Sequence, residues 1–497
     1  MASPARAQSL RYHPLFIILA TLSLLQTVTA QDEQQAADRV FFLPGQPRSP
    51  QVSQFSGYII VERHSGRALF YWFFEAQKLP SQKPLLLWLN GGPGCSSVGF
   101  GAASELGPLM INGSGTGLEF NKFAWNKEAN LLFLESPVGV GFSYTNTSSD
   151  LDKLNDRIVA EDTYTFLVSW FKRFPQYKNH EFYISGESYA GHYVPQLAEV
   201  VYERNKHLET NQQINLKGFI VGNAETNDYY DYKGLVEFAW SHSVISDLLY
   251  ERVNSICDFR LSSWTKECKH VMASVYTQYD KIDIYNVYAP KCNTEESAQL
   301  STSNSTPDLN AKRRLRRIRM YSGYNPCYST YIEDYMNRMD VQKSLHANIS
   351  GWIKDRRWSV CSYSIFDNYD NSVFSVLPIY SKLVKAGLRI WVYRVVDHEP
   401  CQCHDLGQER YNSGDVDGRV PFIGSRYCVE ALGLAVKSQW QPWYLSNQVA
   451  GRFVEYEGLT MATVRGAGHA VPQDKPAESL VLIGSFLAGR QLPIGNN

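Results

Sequence analysis

The chain has 497 residues, 48 basic and 49 acidic side chains for a formal net charge of −1, and 44% hydrophobic residues. That balance excludes a nucleic-acid binder built on a basic face, and the apolar content supports a large buried core. The length exceeds that of a usual single domain and suits an α/β core carrying an inserted segment.

In chain order, Arg6 and Arg11 precede an apolar run, Leu15 to Leu25, and small residues at Val28-Thr29-Ala30. This predicts a signal peptide over 1–30. The run is too short to span a membrane, and no other stretch is long enough, so the mature protein is expected to be soluble. Ser56 to Glu75, rich in aromatic and β-branched residues, predicts a hairpin. Strands are predicted at Leu85–Leu89, Leu131–Glu135, Phe182–Ile184, Leu216–Val221, Leu388–Tyr393 and Thr460–Val464. Helices are predicted over Arg157–Phe174, with Val159, Thr163, Phe166 and Trp170 on one face, and from Ala190 to about Lys206. Such alternation gives a mostly parallel sheet covered by helices. The segment 230–347 differs. It is rich in aromatic residues and holds a polar run, Ser297 to Asn310, beside a basic cluster, Lys312 to Arg319. It reads as a cap inserted between core parts 31–229 and 348–497.

Gly186-Glu187-Ser188-Tyr189-Ala190-Gly191 lies at a predicted strand-to-helix corner. Small residues two positions on either side of Ser188 fit a nucleophile elbow, which pushes the hydroxyl out of the sheet and aims the Tyr189 N–H at whatever the hydroxyl attacks. A serine needs a base, and the base an orienting acid. Asp415-Val416-Asp417 and Gly466-Ala467-Gly468-His469 supply them in the order Ser…Asp…His of α/β-hydrolases. A lone elbow motif is a weak signal; the ordered set is specific. Upstream of all three, Leu85–Leu89 runs into a glycine-rich turn, Asn90 to Ser97, where a backbone without side chains can approach a ligand closely. Four N-x-S/T sites, at Asn112, Asn146, Asn304 and Asn348, suggest glycosylation in the secretory pathway. Nine cysteines in an oxidising compartment should mostly pair, with a connectivity the sequence alone leaves open.

These residues closely resemble the serine carboxypeptidases of the plant type. The resemblance runs from Asp38 to about Leu492. It rests on Trp88-Leu89-Asn90-Gly91-Gly92-Pro93-Gly94-Cys95-Ser96-Ser97, Glu105-Leu106-Gly107-Pro108, Glu187-Ser188-Tyr189, Asp417 and His469. It implies an α/β-hydrolase fold with a mostly parallel central sheet and an inserted, disulfide-containing cap. It implies a triad of Ser188, Asp417 and His469, with Asp415 structural, and an oxyanion hole from the amides of Gly92 and Tyr189. It implies a hydrogen-bond clamp for a substrate carboxylate at Asn90, Gly91, Glu105 and Glu187. Two glutamates facing a carboxylate would repel it if ionised. Crowding raises carboxyl pKa values, so in acid a retained proton turns the clamp into a donor.

The resemblance further implies disulfides Cys95–Cys361, Cys257–Cys268 and Cys292–Cys327, leaving Cys428 free and Cys401 and Cys403 without counterparts. It implies a polar loop that can be cut to give two disulfide-linked chains. No metal or organic cofactor is implied. The implied substrates are peptide or protein C-termini, the implied destination is extracellular or vacuolar, and a homodimer is one implied assembly, although no stripe in the sequence marks an interface. Acyltransferase relatives that use glucose esters share the triad and usually vary the clamp; the retained Asn90 and Glu187 favour hydrolysis, and acyl transfer is the alternative.

One departure stands out. In the family the acid lies a few residues past the strand, and here 394–412 intervenes. Either this segment bulges outward, so that deleting Arg394–Asn412 preserves activity, or it draws Asp417 away and leaves an impaired protein. Its Asp397, His398, Glu399, Cys401, Cys403 and His404 do not space out into a complete metal-ligand set.

Overall fold

The structure, a computed structural model, describes residues 33–292, 327–347, 357–395 and 416–495. The expected signal peptide, the polar run and basic cluster, Asn304, Asn348, the Asp397–His404 group and Asp415 lie outside the described residues.

Thirteen strands are described: β1 (Arg39–Val40), β2 (Gln54–Glu62), β3 (Arg67–Phe74), β4 (Leu85–Leu89), β5 (Leu109–Ile111), β6 (Leu118–Phe120), β7 (Asn130–Glu135), β8 (Phe182–Glu187), β9 (Leu216–Gly222), β10 (Arg389–Val395), β11 (Val436–Leu445), β12 (Gln448–Tyr456) and β13 (Leu459–Val464). β5 and β6 form a small separate ribbon, and the other eleven form one sheet in the order β1-β2-β3-β7-β4-β8-β9-β10-β13-β12-β11. Its centre, from β7 through β13, is parallel. Both flanks are antiparallel. This is the mostly parallel, helix-covered α/β arrangement that the alternation predicts.

A central parallel strand is buried on both faces and reads as a continuous apolar run. β4 is the clearest case. Leu85, Leu87 and Leu89 pack into one layer with Val159, Phe166 and Trp170 of the helix Asp156–Arg173 and Val194 and Leu197 of the helix Ala190–Asn205. Leu86 and Trp88 face the other layer, with Val98, Phe100, Ile483 and Phe486. The helix Asp156–Arg173 starts at Asn155, whose side chain accepts from the Ile158 amide at 3.0 Å. Such an N-cap is worth about 1 kcal/mol.

Segment 230–347 contributes the helices Asp228–Ser241, Asp247–Ile256 and Lys266–Gln278, then Tyr328–Met336 and Met339–Ser344. Disulfides join Cys257 to Cys268, Cys292 to Cys327 and Cys95 to Cys361, and Cys428 is a buried free thiol.

One expectation is corrected. Arg394 does not begin an inserted segment: β10 runs through Val395, with Arg394 opposite Thr463 and Val395 opposite Val464. Arg394 is fully buried. Its Nη1 donates to the Val420 carbonyl at 2.6 Å and its Nη2 to the Ala224 carbonyl. An arginine in that place reads as a strand end from sequence because its partners lie far along the chain. The β11–β12 hairpin was not foreseen. Its turn is Ser446-Asn447, both with positive φ (+49° and +62°), a two-residue reversal without the glycine that usually marks one. Pro442 sits in β11, the outermost strand, where a missing N–H costs no ladder bond.

Replacing Arg394 with Met removes the donors of two buried carbonyls and a positive charge that steadies buried Asp231. The expected cost is about 3 kcal/mol, as when one partner of a buried charge network is removed. Thermal unfolding should show a Tm lowered by several degrees; an unchanged Tm would mean that this arginine does not anchor the Asp417 turn.

Candidate active site

The parallel strands end together. Leu89 pairs with Gly186, Glu187 with Gly222, and Gly222 with Tyr393. The loops leaving β4, β8, β9 and β13 therefore emerge at one edge, where open α/β sheets place their sites.

Ser188 follows β8 with φ +62°, a left-handed conformation that costs a non-glycine residue energy and is held by its surroundings. Its amide donates to the Gly222 carbonyl at 3.1 Å, and its carbonyl accepts from Gly191 and Glu225 at 2.9 and 3.0 Å. The corner is too crowded for larger residues. A Cβ on Gly186 would strike the Leu89 carbonyl and lie 2.8 Å from the Ala190 Cβ. On Gly191 it would strike the Glu225 carbonyl. Tyr189 heads the following helix, and its hydroxyl donates to Asp156 at 3.2 Å, as does Tyr369 at 2.8 Å. This buried anchor fixes the residue after Ser188 and was not legible in the sequence.

His469 lies in the loop after β13. Its Nδ1 stands 2.7 Å from Asp417 Oδ2, with both side chains buried. Asp417 Oδ1 accepts from the amides of Arg419 and Val420 at 2.9 and 3.0 Å. The segment before Asp417 thus leaves its carboxylate beside the imidazole. His469 Nε2 is buried and has no hydrogen-bond partner among the described residues. The loop is held from two sides. Asn223, at the end of β9 with φ +40°, donates from Nδ2 to the carbonyls of Gly468 and His469 at 3.1 and 2.7 Å. From the inserted segment, the Tyr285 carbonyl accepts from the His469 amide at 2.8 Å. The same segment bonds the Asp417 turn: Val287 N–H to Val416 at 2.9 Å and Gly418 N–H to Ile284 at 2.8 Å.

The β4 turn brings Gly91 and Gly92 against the elbow. A Cβ on Gly91 would run into the Tyr189 amide nitrogen, and Gly92 holds φ +114°. Only glycine leaves that amide open. The turn is pinned by Cys95–Cys361, by Ser96 N–H to Val360 at 2.7 Å and by Ser362 N–H to Gly94 at 2.9 Å.

Asn90 is 1% exposed. Its Oδ1 accepts from Trp88 Nε1 at 2.7 Å and the Gly101 amide at 3.1 Å, which orients Nδ2 toward Glu105 Oε1 (3.1 Å) and Glu187 Oε1 (3.0 Å). Burial pushes Glu105 up to about 8, against hydrogen bonds from Asn90 and Glu187 that pull it down. Burial and the neighbouring charges of Glu105 and Asp417 push Glu187 well up. The two carboxyls are also hydrogen-bonded to each other, which lowers Glu105 and raises Glu187. Among the described residues no cluster of His, Cys, Asp and Glu is arranged to hold a metal. Of the N-x-S/T asparagines, Asn146 is exposed, while Asn112 is half-buried and its Oδ1 accepts from local amides.

The sequence profile described as serine carboxypeptidase matches residues 44–403 and 410–489. The chain belongs to the serine carboxypeptidase family. It is a serine-type carboxypeptidase of the hydrolase class, similar to plant members of that family. It is 62% identical to Serine carboxypeptidase-like 26 of Oryza sativa subsp. japonica over 467 residues, 93% of this chain and 92% of that protein. It is 54% identical to Serine carboxypeptidase-like 33 of Arabidopsis thaliana over 488 residues, 96% of this chain and 97% of that one. The solved structure of Kex1Δp, a prohormone-processing carboxypeptidase from Saccharomyces cerevisiae, aligns with a TM-score of 0.72 at 21% identity, covering 92% of this chain and 96% of that one. That likeness shows the α/β-hydrolase fold. Among the described residues no helix is long and apolar enough to cross a membrane.

Asn223 reads in sequence only as a polar residue after a strand. Changing it to Ala releases the carbonyls of Gly468 and His469 while leaving Ser188, Asp417 and the clamp untouched. Misplacing a catalytic group by about 1 Å costs on the order of 10²-fold. We expect kcat to fall by about that factor with KM nearly unchanged in steady-state assays; an unaltered kcat would show that the inserted segment alone holds the histidine.

Proposed function

We propose that this protein is an acid-active exopeptidase of the secretory pathway that removes single amino acids from peptide C-termini. The observation that carries this reading is the buried Asn90–Glu105–Glu187 cluster at the edge occupied by Ser188. A carboxyl that keeps its proton donates to a substrate carboxylate without the repulsion an ionised one would exert. Ser188 Oγ attacks the last peptide carbonyl carbon while His469 Nε2 takes its proton. The amides of Gly92 and Tyr189 receive the oxyanion, and each such donor is worth about 3 kcal/mol in the transition state. His469 returns the proton to the leaving amine as the C–N bond breaks. Water, deprotonated by the same imidazole, then hydrolyses the acyl-enzyme and frees Ser188. Asp417 holds the Nδ1–H and steadies the imidazolium. The intact clamp favours water over an alcohol as acceptor, and adding a glucose ester with an alcohol tests acyl transfer directly.

The pH dependence follows from the raised Glu105 and Glu187. For peptides, KM should climb as pH rises from about 5 to 8, as the clamp loses its proton. Esters lacking a free carboxylate should be less affected. The same groups set stability: the unfolded chain releases the Glu105 proton near pH 4.3 and the folded chain keeps it to about 8, so stability falls with rising pH across that window, and the raised Glu187 acts in the same direction. Initial-rate measurements on a blocked dipeptide and its ester analogue decide the matter, and a flat peptide KM would remove the proton-sharing clamp.

Asp417 and Asp415 lie two residues apart, and the family match favours Asp417. Asp417→Asn should lower kcat by about 10⁴, as when a triad aspartate stops fixing the tautomer, and Asp415→Asn should leave most turnover intact. The reverse pattern would reassign the acid.

A further inference from the structure

A cavity of about 70 Å³ opens beside the elbow. It is lined by Gly92 and Tyr189, which carry the proposed oxyanion donors, and by Tyr232, Tyr285, Glu225 and Arg419. Asn90, Glu105 and Glu187 take no part in it. The leaving amino acid lies over those three, so the cavity lies on the other side of the scissile carbonyl. It therefore receives the side chain of the acyl residue, the one before the released amino acid. This placement rests on the carboxypeptidase reading above.

The charged feature of the cavity is one ion pair. Arg419 Nη2 stands 2.7 Å from Glu225 Oε1, with the arginine side chain 29% exposed and the glutamate 16%. The Oε1 atom itself is buried. The guanidinium is thus the more open partner, backed by a carboxylate that holds it. Burial works against the charge on Arg419, and Glu225 first, then the tyrosines, outweigh it and keep the arginine charged. Both residues are fixed by the catalytic loops: Arg419 follows Asp417 by two positions and Glu225 follows Asn223 by two, and the Glu225 amide donates to the Ser188 carbonyl.

We propose that Arg419, held by Glu225, is the specificity-determining residue of the acyl-side pocket and selects short acceptor side chains, Asn and Asp, at the penultimate position of the substrate. A planar guanidinium presents several N–H donors to an amide or carboxylate oxygen. An apolar side chain of the same size leaves those donors unpaired, which is where discrimination arises. A lysine side chain meets a fixed positive charge whose counter-ion is already engaged.

The test uses p-nitrophenyl esters of Nα-blocked Asn, Asp, Leu and Lys at pH 6. These occupy the acyl pocket and carry no leaving-group carboxylate. Asn should exceed its near-isostere Leu about tenfold in kcat/KM, Asp should also exceed Leu, and Lys should be slowest. Arg419→Met should bring the Asn/Leu ratio to about one. Glu225→Gln, which frees the guanidinium from its competitor, should raise Asp relative to Asn. The double variant Arg419→Met/Glu225→Gln leaves no unpaired buried charge and should repeat the loss of preference if the single variant fails to fold. Labelling of Ser188 by a fluorophosphonate verifies folding. An Asn/Leu ratio of one or less in the unaltered protein, or a ratio unchanged in the arginine variants, overturns the proposal. Ester turnover without release of amino acids from peptides overturns the exopeptidase reading alone, and absence of any ester turnover overturns both.

Discussion

The site depends on main-chain pairing in the middle of the sheet. Glu187, Gly222 and Tyr393 form one row of paired residues across three parallel strands. That row sets the level at which each strand stops. Ser188 follows β8 and Asn223 follows β9 by one residue each, and His469 lies in the short loop after β13. A slip of one residue in any of these pairings would turn every side chain of that strand to the opposite face. The alternating burial of Leu85 to Leu89 between two apolar layers makes such a slip costly. Packing of the core thereby fixes the positions of groups that never touch it.

Steric exclusion then shapes the loops. Gly91, Gly186 and Gly191 are each backed by main-chain atoms that a Cβ would strike. The backbone of the β4 turn lies directly against the elbow, and the Tyr189 amide stays open to a ligand. Behind it, Asp156 receives two tyrosine hydroxyls. Burial raises the Asp156 pKa while those hydroxyls oppose the shift. The elbow is braced from below by polar contacts and from the side by absent side chains.

Much of this was legible in the amino-acid order. Strands buried on both faces announce themselves as apolar runs, so β4, β8 and β13 were placed within a few residues. Glycine spacing pointed to the elbow, and the sequence of Ser, Asp and His pointed to the hydrolase class. What escaped shares one property: its partners are distant in the chain. Asp156 at a helix start reads as a carboxylate favoured by the helix dipole, because nothing local shows that Tyr189 and Tyr369 will reach it. Arg394 reads as the start of a loop, because Val420 and Ala224 are remote. β11 mixes lysine, glutamine and proline with aromatics, as an outer strand with a solvent face does, so its period is blurred. Asp417 was placed by family likeness; its contact with the imidazole is made by turns on both sides, the inserted segment among them.

That inserted segment binds both the Asp417 turn and the His469 loop through main-chain bonds from residues 284–287. β13, which carries the histidine, is enclosed between β10 and β12 rather than added at a margin. The serine is synthesised long before either. On the proposed triad, the growing polypeptide holds Ser188 before the histidine loop exists, and the site is complete only once β13 has taken its place between β10 and β12.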